Sequence, residues 1–64
     1  MAMKYIVTWG AYAGMETFLT IIDGDQALTI DDIMDWVCAV EEVDPDLGYQ
    51  IYSIVRADNV DVIF

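Results

Sequence analysis

A single stretch of this chain carries a helical period, and it lies between segments that alternate like strands. From Ile30 to Val43, the apolar residues Ile30, Ile33, Met34, Val37, Cys38 and Val40 recur every three or four positions. At about 100° per residue they share one broad face, with Asp31, Asp32, Asp35 and Glu42 opposite. Thr29 suits the N-cap, and Asp32 stands three residues on, where a capping-box acid belongs. Asp44-Pro45 supplies the stop, because the residue before proline disfavours helical dihedrals.

The flanking segments change face every residue. Met3, Tyr5, Val7 and Trp9 point one way, and Lys4, Ile6 and Thr8 the other, which is the pattern of a strand. Gly10 and Gly14 offer a turn, and the β-branched run from Glu16 to Ile22 completes an antiparallel hairpin. Asp23-Gly24-Asp25 breaks that pattern before the helix. A third strand is expected over 49–56, and Asp58-Asn59 turns the chain toward a short terminal strand over 60–64. The expected fold is therefore α+β: one domain over residues 1–64, with a single helix packed on a three- or four-stranded antiparallel sheet in the order β-β-α-β, the last strand being optional.

At 64 residues, such a domain has a modest core and calls for good packing or self-association. Cys38 is the lone cysteine and there is no histidine, so neither an intrachain disulfide nor a Cys/His zinc site can staple the fold. The acidic composition does not imply disorder, because 58% of the residues are apolar and eight are aromatic. In the third strand, Ile51 and Val55 fall on one face and Tyr52 and Ile54 on the other. One helix covers one face only. A homodimer burying the other face or an edge strand is the expected remedy, the alternative being scattered surface aromatics.

Charge is the second constraint. Twelve acids oppose two bases for a net charge of −10, and no base occurs between Lys4 and Arg56. Nine of the acids lie within 23–46, in the helix and the loops at its ends. Asp31 and Asp32 complement the helix dipole, but Glu41 and Glu42 oppose it. Asp31 and Asp35 form a like-charge i,i+4 pair, separated by about 6 Å of rise. Carboxylates at that interval could stand where successive phosphates of a nucleic acid would, and a surface of this kind is drawn to a basic groove. Trp36 and Val43 border the stripe as apolar anchors, or else Trp36 packs on the sheet edge.

Several chemistries are poorly served. Without histidine the familiar nucleophilic triads cannot form, and Cys38 on the apolar helix face reads as a core thiol. Asp23-Gly24-Asp25 and Asp44-Pro45-Asp46 are oxygen-rich, but counting from Asp23 an EF-hand would require glycine at Leu28 and glutamate at Met34. No catalytic residue, metal or cofactor is expected. Lys4 and Arg56 are too few to bind nucleic acid directly. The N-terminus superficially looks like a secretory signal, but its apolar run is broken at Thr8 and Gly10, short of the usual stretch of about 7–15 residues. No membrane span is expected, and a reduced lone cysteine fits the cytoplasm.

The small size, the base-free stretch from Tyr5 to Val55 and the acidic helix Thr29-Ile30-Asp31-Asp32-Ile33-Met34-Asp35-Trp36 together resemble the small acidic phage-encoded inhibitors that disable host proteins, some of them as DNA mimics. The hairpin-helix-strand order is similar to that of a small phage inhibitor of bacterial RNA polymerase and of some anti-CRISPR proteins; no functional residue is carried over from either. The resemblance implies a non-catalytic inhibitor in the host cytoplasm, acting on a basic nucleic-acid-binding protein such as a CRISPR effector, nuclease, polymerase or histone-like protein. The expected contact residues are Asp31, Asp32, Asp35, Trp36, Glu41, Glu42, Asp44 and Asp46. The alternative is a structural or assembly subunit working through its apolar sheet face, its acids serving solubility.

Overall fold

The computed structural model describes residues 3–24, 28–57 and 61–64. Strands β1 (Met3–Ala11), β2 (Glu16–Gly24), β3 (Tyr49–Arg56) and β4 (Asp61–Val62) form an antiparallel sheet in the order β2-β1-β3-β4, with helix α1 (Ile30–Glu41) packed on one face. The α+β expectation holds, with four strands. The expected turn at Asp58-Asn59 lies outside the described residues, as does Asp25.

β1 is central, and its alternation sets the layers. Tyr5, Val7, Trp9 and Ala11 are buried beneath α1, and with Ile22, Ile54, Ile33, Met34, Val37, Cys38 and Val43 they make one core. Trp9 stacks on its cross-strand neighbour Phe18 with ring centroids 4.7 Å apart. The phenol oxygen of buried Tyr5 accepts the Leu28 backbone N–H at 3.1 Å, tying the approach to α1 onto β1.

The hairpin turn falls later than its glycines suggest. Gly10 is not a turn residue; it lies in β1 on the outer face, where a Cβ would stand 2.7 Å from the Tyr52 hydroxyl. The chain reverses over residues 12–15, with Tyr12, Ala13 and Gly14 all at positive φ.

α1 begins where expected, with Thr29 Oγ1 accepting the Asp32 N–H at 3.2 Å. It ends two residues before the expected Val43. Glu42 takes a left-handed conformation at φ 59°, its N–H bonding to the Ala39 carbonyl and that of Val43 to the Cys38 carbonyl. That pair of bonds is a Schellman motif, and its apolar contact draws Val43 into the core. Val43 is therefore buried rather than an exposed anchor. Val40, expected on the buried face, is exposed, and Glu41 faces the sheet instead. A short 3₁₀ turn over Pro45–Leu47, capped by the Asp44 carboxylate on the Asp46 N–H, leads into β3.

β3 departs from simple alternation. Thr8 is opposite Ser53 but Trp9 is opposite Ile51, so Tyr52 is an extra residue in a β-bulge. Beyond the bulge the faces exchange. Ile51 and Tyr49 join Ile54 on the core side, while Tyr52 lies over Gly10 on the outer side. The expected grouping of Tyr52 with Ile54 is thus corrected by the inserted residue.

Candidate acidic face

The helix divides the expected contact residues between two flanks. Asp31, Asp32, Asp35 and Trp36 are all exposed on α1, as are Glu42 at its C-cap and Asp44 and Asp46 around the 3₁₀ turn. At about 100° per residue, Asp31 and Asp35 lie on one side of the buried face, and Trp36 and Val40 on the other. Asp32 projects between them, away from the sheet.

The acidic flank faces β3. Burial lifts the Tyr49 phenol above its ordinary pKa, with Asp31 adding to the effect and then Cys38 and Asp35. The Cys38 thiol is likewise raised, first by burial and then by Asp35 and Asp44. The negative field of the helix flank and that of the 3₁₀ turn therefore meet around these two side chains. Trp36 is not part of that flank; by helical spacing Asp32, four residues before it, is the helix acid on its side.

Glu41 is diverted from the surface. The Trp9 indole N–H donates to the Thr20 hydroxyl at 3.0 Å, and that hydroxyl donates to Glu41 Oε1 at 3.0 Å. Thr20 is buried. The chain of bonds joins β1, β2 and the last turn of α1, and it accounts for a carboxylate placed against the helix dipole. Sequence reasoning set Glu41 among the surface acids because its partner is 21 residues away.

Asp44 and Asp46 engage each other through the 3₁₀ cap, and among the described residues no group of three or more acidic or cysteine side chains converges to hold a metal ion. A shallow groove of about 210 Å³ runs between the hairpin tip and the start of β3, lined by Gly10, Gly14, Leu47, Gly48 and Gln50 among others. It lacks a carboxylate, thiol or base, and it is smaller than a usual ligand pocket of about 300–1,000 Å³. No described helix is long and apolar enough to cross a membrane.

No protein family, curated protein or solved structure matches the chain.

The opposite side of the molecule has a different character. On the outer sheet face Ile21, Ile6, Val55 and Val62 stand in register as one row across all four strands. Lys4 and Asp23, the charged residues described there, are cross-strand partners. That face thus balances its charge, while the acids gather on the helix side.

Proposed function

We propose that the chain is a non-catalytic inhibitor that binds a basic nucleic-acid-binding protein of the host cytoplasm, standing in for the phosphates of the nucleic acid. The observation that carries this reading is the exposure of Asp31, Asp32, Asp35, Glu42, Asp44 and Asp46 around α1 and the 3₁₀ turn, in a base-free segment of the chain. Like-charged groups held together this way raise the local potential that a cationic groove would meet. Trp36 adds an exposed aromatic beside Asp32, and Glu41 serves the fold rather than the contact.

A second reading, an assembly subunit acting through its sheet, is favoured by the apolar row from Ile21 to Val62. Affinity capture from a bacterial lysate at low and high salt separates the two. The inhibitor reading expects a basic protein retained at low salt and released at high salt, with Tyr52→Glu leaving capture intact. Capture that survives high salt and is lost in Tyr52→Glu would overturn it.

A further inference from the structure

We propose that the free edge of β2 is a homodimer interface, pairing with β2 of a second copy about a two-fold axis through Thr20. The two edges of the sheet are treated unequally. The Ile54–Arg56 end of β3 is covered by β4 and by backbone bonds from Ile63 and Phe64 to Ile54, and the rest of β3 carries the bulge at Tyr52. Among the described residues no strand pairs with the far side of β2, a nine-residue strand about 30 Å long. Protected edges usually carry lysine, proline or a bulge. β2 has no lysine or proline, and its pairing with β1 runs through in unbroken register. Its centre, Thr17-Phe18-Leu19-Thr20-Ile21-Ile22, is uncharged and rich in β-forming residues.

The strand is self-complementary in one register. Full antiparallel overlap sets Thr20 against its symmetry mate, Leu19 against Ile21 of the second copy, and Phe18 against Ile22. Thr17 then meets Asp23, and Glu16 meets Gly24. Apolar residues face apolar residues on both sides of the sheet, and within the strand pair no acid opposes an acid. On the core side each Glu41 carboxylate stays bonded to its own Thr20, so the two approach at the axis and add to the repulsion that salt screens. A slip of one residue sets Glu16 against Asp23 and core-facing residues against outward-facing ones.

The helix flanks suit this arrangement. Asp31 and Asp35 point toward β3, so Trp36 and Val40, 42% and 53% exposed, stand on the β2 side. With α1 over β1 and β2, strands about 4.8 Å apart bring the two helices to about 10 Å, the spacing at which helices pack. Those two apolar side chains then fill the seam, and the strongest acidic flanks point outward. The inference does not rest on the proposed function.

Two chains of net charge −10 repel, so the dimer must strengthen as salt screens them, opposite in sign to binding of a basic partner. Light scattering coupled to gel filtration is expected to give twice the 7.2 kDa chain mass in high salt. Leu19→Lys and Ile21→Lys, at exposed positions, should return the mass to 7.2 kDa with an unchanged circular dichroism spectrum, while Val62→Lys remains dimeric. Mixed Leu19→Cys and Ile21→Cys chains should form a disulfide-linked pair faster than either variant alone. A monomer persisting at about 1 mM in high salt overturns the proposal. So does a dimer that survives Ile21→Lys or is lost in Val62→Lys, or faster self-linking of either cysteine variant.

Discussion

Thr20 shows how one buried hydroxyl organises three elements. It accepts from Trp9 and donates to Glu41, so Thr20→Val leaves an indole N–H and a carboxylate without that partner. The expected loss is about 1–3 kcal/mol by urea unfolding, against less than about 1 kcal/mol for Glu41→Gln, which keeps an acceptor for the hydroxyl. Equal losses would contradict the relay. Glu42 acts in the other direction. A non-glycine residue at φ 59° is strained, so Glu42→Gly should stabilise the protein by about 1 kcal/mol, whereas Glu42→Ala should not. Cys38 and Tyr49 give a pH signature. Both have folded-state pKa values raised by burial, so the unfolded chain releases these protons at lower pH than the folded one. Their contribution is complete below the ordinary thiol range, about pH 8.5, and is lost as the pH rises through the folded-state values. Urea midpoints should fall across that alkaline window, and Cys38→Ala should flatten the first part of the fall; an identical decline in the variant would remove Cys38 as its source.

Among the elements, those governed by local pattern were legible and those governed by distant partners were not. The Thr29 cap, the buried ridge Ile33-Met34-Val37-Cys38 and the alternation of β1 all follow from neighbours within a turn or a strand. Exposure of Asp31, Asp32 and Asp35 follows from the same helical period, whereas Trp36, expected to border the acidic stripe, stands on the opposite flank of the helix. The bulge at Tyr52 has no such local sign, because it is defined by the register of β3 against β1. The early end of α1 was hidden because glutamate is an unfavoured left-handed cap, and the inward turn of Glu41 because Thr20 is remote in sequence. Gly10 links two of these surprises: it reads as a turn glycine, yet its missing side chain makes room for the bulged Tyr52. Gly10→Ala is accordingly expected to destabilise by about 1 kcal/mol, and to become neutral or favourable when Tyr52→Ala is also present, since alanine is preferred to glycine in a strand. Additive effects in that double-mutant cycle would show that the two residues do not meet.

At the scale of the molecule, the fold sorts charge. The helix and 3₁₀ turn gather carboxylates on one side, and the sheet presents a balanced, apolar row on the other. The two proposals assign different surfaces, the acidic helix flank to a cationic partner and the β2 edge to a second copy, with opposite responses to salt. The most direct test of the acidic-face reading is the affinity of the captured basic partner for the wild-type chain and for the triple variant Asp31→Asn, Asp35→Asn, Glu42→Gln, measured across a salt series. The account predicts binding weakened by about tenfold or more in the variant at low salt, a shallower salt dependence, and an unchanged fold. Equal affinity and equal salt dependence in the two proteins would contradict it.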